Sequence, residues 1–135
     1  MKKAFRILAL SLVLVTLVAA LASCGGPAAD PDDALAALKK NDYAAAEDKL
    51  IIPGALMLLG VDDIDCVVSG TKIEDDKADH VTIVYFEDKE AADEAWEDVQ
   101  DYANDKKDDD DSDWTIKKSG AMIYWGTSAG IKAAK

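Results

Sequence analysis

One stretch, His80 to Phe86, constrains the fold more than any other part of the 135-residue chain. Its side chains alternate between two sets that are both largely apolar, namely Val81, Ile83 and Tyr85, and then Thr82, Val84 and Phe86. A strand with one face in water shows polar residues at every second position instead. The pattern therefore predicts a central strand of a sheet that is covered on at least one face.

The surrounding segments predict a mixed domain. A strand over Ile64 to Ile73 precedes the central strand, and a hairpin is expected over 114–125 with its turn at Ser119-Gly120. Helices are predicted at 31–40, 53–60, 89–105 and 128–134, and an extended segment at 43–52. This order predicts one small α+β domain over 32–135, with an antiparallel sheet of about four to five strands and helices packed mainly on one face.

Three residues are expected to cap helices. Asp30 precedes Pro31 and a first turn rich in acids, Asp88 opens the longest helix, and Thr127 opens the last one. The longest helix carries an inward stripe at helical spacing. The stripe consists of Ala92, Ala95, Trp96, Val99, Tyr102 and Ala103.

The first 23 residues have the composition of a secretory signal. Lys2, Lys3 and Arg6 carry three positive charges, and the uncharged, almost wholly apolar run from Ile7 to Ala22 ends in small residues. Two other interpretations remain open. The chain could have an ordinary cleaved signal with an incidental cysteine, or an uncleaved transmembrane helix, for which the run is slightly short against the ~20 apolar residues that a bilayer needs.

The segment Leu21-Ala22-Ser23-Cys24 resembles the lipobox of bacterial lipoproteins. The resemblance implies cleavage between Ser23 and Cys24 and a diacylglyceryl group on the Cys24 thiol. Two acyl chains anchor a protein stably, whereas one binds a membrane only marginally. We therefore expect a cleaved signal at 1–23, a lipidated cysteine with a short flexible tether at 24–31, and a domain held on the cell membrane outside the cytoplasm.

Two further segments resemble small bacterial lipoproteins whose role is unknown. They are the junction from Phe86 to Ala91 and the strand ending from Ile123 to Thr127. The resemblance implies the α+β architecture and supplies no catalytic residues.

The charge excludes one class of partner. The whole chain has a net charge of −12, and without the three cations of the leader 27 acids face 12 lysines, which gives −15. There is no arginine after Arg6. Because affinity for nucleic acids comes largely from Lys and Arg on phosphates, we expect no nucleic-acid binding. An anionic leaflet should repel such a domain, so we expect it to stand off on its tether.

Two further features bear on chemistry. Cys66 lies among apolar residues, which predicts a buried and unreactive thiol.

The acidic connector that ends at Asp113 offers oxygen ligands for calcium, chiefly Asp108, Asp109, Asp111 and Asp113. Trp114 and Gly120 stand where a calcium loop needs its glycine and its glutamate, if Asp109 is the first ligand. We therefore expect a solvated linker, with any calcium binding weak and millimolar.

The sequence predicts a binding module rather than an enzyme. His80 is the only histidine, and there is no nucleophile motif, metal-ligand spacing or phosphate loop around which to build an active site. We expect no cofactor beyond the lipid on Cys24, and a partner that is an unidentified envelope protein or ligand. Two contact surfaces are predicted: the aromatic hairpin residues Trp114, Tyr124 and Trp125, or the segment Leu56–Leu59. The alternatives are a weak calcium-dependent surface module, a small solute-binding protein, and an envelope-associated enzyme.

Overall fold

A computed structural model describes residues 26–107 and 113–135. The described residues form one small domain of nine elements, which confirms the α+β class. In chain order these are α1 (Pro31–Lys40), β1 (Ala44–Asp48), α2 (Ile51–Leu58), β2 (Ile64–Glu74), β3 (Lys77–Phe86), α3 (Lys89–Lys106), β4 (Thr115–Ser119), β5 (Met122–Gly126) and α4 (Ser128–Ala133).

The five strands form an antiparallel sheet in the order β1-β2-β3-β5-β4, so β3 is the central strand that the sequence predicts. The hairpin between β2 and β3 turns at Asp75 and Asp76, whose φ angles are 49° and 64°. Two successive positive φ angles are the geometry of a tight two-residue hairpin turn, and aspartate tolerates them better than most residues. The predicted hairpin β4–β5 turns at Gly120, where φ is 58°.

Helices cover both faces of the sheet, so the expectation that they pack mainly on one face is wrong. On one face, α1 and α4 pack against a core that includes Val68, Ile83 and Tyr85. On the other, α2 and α3 pack against a second core that includes Val67 and Val84. The reason lies in the central strands, because the side chains of β3 and β5 are apolar on both faces and each face needs its own cover.

A bulge at the start of β2 changes which face one side chain meets. The register of β2 against β3 shifts between Ile64 and Cys66, where one residue is unpaired. Simple alternation along β2 would put Ile64 on the same face of the sheet as Cys66 and Val68. Ile64 instead packs against the core of Val67, while Cys66 lies in the opposite core and is 3% exposed. The predicted burial of Cys66 is confirmed.

The three predicted helix caps are confirmed. The Asp30 carboxylate accepts hydrogen bonds from the amides of the first turn of α1, Asp88 accepts from Ala91, and the Thr127 hydroxyl accepts from Gly130. Four small or β-branched residues of the α3 stripe are buried, namely Ala92, Ala95, Val99 and Ala103. The larger Trp96 and Tyr102 are partly buried at the edge of the same core.

The start of α4 lies very close to the backbone of β3. The Thr127 amide donates to the His80 carbonyl at 2.9 Å, and the Thr127 hydroxyl also accepts from the His80 amide at 3.2 Å. A Cβ atom on Gly130 would lie 2.3 Å from the His80 carbonyl oxygen. Since real side chains do not approach that closely, glycine at 130 is what lets α4 dock on the sheet.

The segment before α1 is part of the domain. Gly26 and Pro27 are buried, the Ala28 amide donates to the Ala134 carbonyl at 2.8 Å, and the Ala28 carbonyl accepts from the Tyr85 hydroxyl at 2.7 Å. The prediction of a flexible tether is therefore wrong for residues 26–29, whereas Asp30 and Pro31 begin α1 as predicted. Small residues suggested flexibility, but here they allow close packing against Tyr85 and the C-terminal helix.

Candidate functional site

Five large apolar side chains are exposed on α2 and beside it. They are Leu50 (82% exposed), Ile51 (81%), Met57 (63%), Leu58 (90%) and Leu59 (51%), and together they are called the apolar face of α2 below. Leu50 and Met57 are seven residues apart, as are Ile51 and Leu58, so each pair lies on the same side of the helix. Single exposed apolar residues are common on proteins, whereas a grouped set marks an interaction surface.

The opposite side of α2 is fixed in the core. Leu56 is fully buried and Pro53 is buried, and Ile52 packs partly against the same cluster. Of the segment Leu56–Leu59 that the sequence suggested as a contact surface, Leu56 is therefore a core residue and the other three are exposed. The apolar composition on all sides of α2 is explained by one face in the core and another face in solvent.

Asp48 fixes the start of α2. Its carboxylate accepts hydrogen bonds from the amides of Leu50, Ile51 and Ile52 at 2.8, 2.9 and 2.8 Å. Burial opposes ionisation of this carboxyl, but the three hydrogen bonds outweigh burial and hold the pKa of Asp48 below its usual value. Sequence reasoning missed this residue, although an aspartate just before an apolar run is a recognisable helix-start signal.

Gly60 fixes the end of α2. With φ at 90°, it takes the left-handed conformation that ends many helices, and its amide donates to the Met57 carbonyl at 3.0 Å. The Val61 amide then reaches back to the Leu56 carbonyl at 3.1 Å. Val61 and Leu56 also belong to the same buried cluster, as is usual for this type of helix end. Both ends of α2 are thus held, and the apolar face is presented on a defined element.

Charged residues border the apolar face. Lys49 precedes it and pairs with Glu47 at 3.2 Å on the exposed surface. Three exposed aspartates follow it, at Asp62, Asp63 and Asp65. The immediate surroundings of the face are therefore acidic, like the domain as a whole.

Strand pairing places α2 at one particular end of the sheet. Asp48, the last residue of β1, pairs with Val67 near the start of β2, and Ile64, the first residue of β2, pairs with Phe86 at the end of β3. The segment 49–63 thus leaves and re-enters the sheet at the end where β3 finishes. The docked segment 26–31 is at the same end, because Ala28 is bonded to Tyr85, the neighbour of Phe86. We call this the tether end.

A groove of about 550 Å³ also opens at the tether end. It lies between the segment 26–29, the end of β3 and the turn between β4 and β5. Its size is typical of small-molecule sites, but Asp65 and Lys135 on its wall are exposed and the Tyr85 hydroxyl is already bonded to Ala28. Burial raises the pKa of that hydroxyl, which keeps it protonated as a donor. The groove therefore offers an apolar wall rather than a catalytic arrangement.

The aromatic contact surface predicted on the second hairpin is not present. Tyr124 and Trp125 are each 4% exposed, and they belong to the two opposite cores. Trp114 is partly buried against the core of Trp125, and Trp125 meets Tyr102 edge to face at 6.2 Å. The prediction is wrong because β5 lies between β3 and β4 with both faces covered, so its aromatics are structural.

Of the predicted calcium ligands, Asp108, Asp109 and Asp111 lie outside the described residues, as do Ser23 and Cys24. Asp113 is described and exposed, and its carboxylate accepts from the Ser128 amide at 3.2 Å. Within residues 26–107 and 113–135, no group of three or more His, Cys, Asp or Glu side chains is arranged to hold a metal ion. Weak calcium binding by the connector stays a prediction.

Cys66 has no accessible thiol. Burial is the main cause that raises the pKa of the Cys66 thiol to about 11, and the carboxylates of Glu47 and Asp65 add to this effect. The thiolate, which is the reactive form, is therefore disfavoured at neutral pH.

Comparisons of the chain with protein-family models, with curated proteins and with solved structures find no match. Within the part of the chain that the structure describes, no helix is both long enough and apolar enough to cross a bilayer.

Proposed function

We propose that this protein is a lipid-anchored lipoprotein of the cell envelope whose domain is a binding module, with the apolar face of α2 as its contact surface. The observation that carries the proposal is the exposure of five large apolar side chains on α2 and on the residue at each of its ends. Burying one such side chain is worth ~1.5–3 kcal/mol. Five of them in water therefore favour association with an apolar surface within reach of the anchored domain.

The construction of α2 supports this assignment. Asp48 holds one end of the helix, Gly60 and Val61 hold the other, and Leu56 fixes the helix to the core. An apolar face on a fixed helix loses little conformational freedom when it binds, which favours association. The lipobox residues Leu21 to Cys24 support the anchor, since two acyl chains retain a protein on a membrane.

The anchor is tested with Cys24→Ala in the full-length chain, expressed in a bacterium that processes lipoproteins. We expect the wild type in the membrane fraction, and the variant either released from the membrane or stalled with its leader attached. Membrane retention of a correctly cleaved Cys24→Ala protein would refute the lipid anchor.

The contact surface is tested by placing a photo-crosslinking amino acid at position 58 and, in a second chain, at position 73. Ile73 is a suitable control because it is 75% exposed and apolar, but lies beside the Asp75-Asp76 turn at the opposite end of the sheet. After irradiation of intact cells we expect lipid or protein adducts at 58 and far fewer at 73. Equal adduct yields at both positions would show that α2 is not the contact surface.

A further inference from the structure

We infer that the apolar face of α2 docks on the lipid surface of the same membrane that holds the Cys24 anchor. The inference rests on the proposed lipid anchor and names the partner of the proposed contact surface. It follows from two constraints that act together: the length of chain between the anchor and the docked segment, and the position of α2 in the sheet.

The first constraint is reach. Gly25 is the only residue between Cys24 and Gly26, and Gly26 is buried against the domain. A Cβ atom at Gly26 would lie 2.8 Å from the Tyr124 hydroxyl oxygen, so this segment fits closely against the sheet. Two residues of extended chain span at most about 7 Å. A lipid on Cys24 therefore holds the tether end against the membrane, and the expected stand-off on a flexible tether is not available.

The second constraint is position. The docked segment and both connections of α2 lie at the tether end, as the pairs Asp48–Val67 and Ile64–Phe86 and the Tyr85–Ala28 hydrogen bond establish. Leu50 follows Asp48 by two residues, and Leu59 precedes Ile64 by five. The first and last residues of the apolar face are therefore close to the connections that join α2 to β1 and β2. The docked segment and α2 pack on opposite faces of the sheet but at the same end of it. The anchor therefore brings to the membrane the end of the domain that also carries the exposed apolar side chains.

The chemistry of the face agrees with lipid as the occupant. Leucine, isoleucine and methionine bring no polar groups, and an apolar helix face can lie in the boundary between headgroups and acyl chains. The surrounding acids, Asp62, Asp63 and Asp65, oppose contact with anionic headgroups. The inference therefore carries a directional expectation: docking is strongest on zwitterionic lipid, weakens as anionic lipid is added, and is partly restored by salt.

The experiment uses the lipidated mature protein, which begins at Cys24 and carries Leu58→Cys or Ile73→Cys, labelled with an environment-sensitive fluorophore. Cys66 is buried and leaves the introduced cysteine as the reactive thiol, which unlabelled wild-type protein verifies. The proteins are reconstituted into phosphatidylcholine vesicles, with and without lipids that carry a nitroxide quencher near the headgroup. We expect blue-shifted emission at position 58, and a several-fold greater quenching at 58 than at 73.

Each result decides the question. Water-like, unquenched emission at both positions in protein that floats with the vesicles overturns lipid docking and leaves the anchor standing. Emission at 58 that is shielded from water but not quenched by lipid nitroxide indicates a second copy of the chain as the occupant, which overturns the inference and keeps α2 as a contact surface. If the protein does not float with the vesicles, the proposed lipid anchor is refuted, and so is the inference that rests on it.

Discussion

Two leucines of α2 provide a direct test of how the helix is oriented. Leu56 is fully buried and Leu58 is 90% exposed, although they are two residues apart on the same helix. Leu56→Ala removes the same atoms as Leu58→Ala, so helix propensity and side-chain size are matched. The difference in their effects on the free energy of unfolding therefore measures burial alone.

The expected magnitudes are well separated. Leu56 packs in the cluster that contains Val61 and Phe86, and truncating a buried leucine to alanine costs about 2–5 kcal/mol. The loss will be at the lower end if α2 detaches locally while the sheet stays folded, because local opening limits what one contact can contribute. Leu58→Ala should change stability by less than about 0.5 kcal/mol, as surface substitutions usually do.

The assay is urea unfolding of both variants and the wild type, followed by far-UV circular dichroism and by tryptophan fluorescence. Coincident transitions by the two probes justify a two-state treatment. Similar losses of about 2 kcal/mol or more in both variants would refute the orientation of α2, because Leu58 would then also be packed. A negligible effect of Leu56→Ala would show that α2 is not docked through this residue.

Three further predictions concern single positions. A polar thiol reagent should modify Cys66 only after denaturation, and rapid modification of the native protein, followed by mass spectrometry, would contradict its burial. Asp48→Ala should lower the free energy of unfolding by about 1 kcal/mol at neutral pH. Because the folded-state pKa of Asp48 is lowered, its carboxylate contributes to stability at neutral pH. The difference in free energy of unfolding between the variant and the wild type should therefore disappear as pH falls through that pKa. Gly130→Ala should lower the free energy of unfolding by about 1–3 kcal/mol, because the new Cβ would meet the His80 carbonyl. Gly54→Ala, which has open space around its Cβ, should stabilise the protein by about 0.5–1 kcal/mol in the same urea assay. A stabilising Gly130→Ala and a destabilising Gly54→Ala would contradict the positions given to both glycines.

Local signals in the sequence predicted most of the elements. The helix caps Asp30, Asp88 and Thr127 and the hairpin turn at Gly120 depend on neighbours within a few residues, so residue type alone was sufficient there. The central position of β3 also followed from its own residues, since apolar side chains on both faces require neighbours on both sides. The side chains of β5 are apolar on both faces as well. Taken with β3, this pattern could have predicted that helices cover both faces of the sheet.

The features that were missed depend on contacts between distant parts of the chain. The docking of Ala28 on Tyr85 and Ala134 joins residues from opposite ends of the domain, and a run of small residues does not reveal it. The bulge before Cys66 changes the face of Ile64 through one unpaired residue, which alternation cannot indicate. For α2, composition showed that the helix is apolar all round, but only the packing of Leu56 determines which side remains in solvent.

The acidity of the chain also has a partly structural explanation. Among the described residues, four aspartates adopt positive φ angles at turns, at Asp42, Asp63, Asp75 and Asp76. Three others, Asp30, Asp48 and Asp88, accept hydrogen bonds at helix starts from amides two to four residues ahead in the chain. These are roles that aspartate performs better than glutamate, because its short side chain reaches the local backbone. An excess of aspartate in this chain is therefore not by itself a sign of cation binding.

The hydrogen bond between Ala28 and Ala134 has a practical consequence for anyone who labels this protein. It brings Lys135 to the groove beside Gly26, so an affinity tag or fluorescent reporter fused after Lys135 would start at the crowded end of the domain. An epitope inserted between Asp75 and Asp76 would project from the other end, at an exposed hairpin tip of the kind that tolerates insertions. The internal site is therefore the better choice for reporting on the protein without disturbing the docked segment or α2.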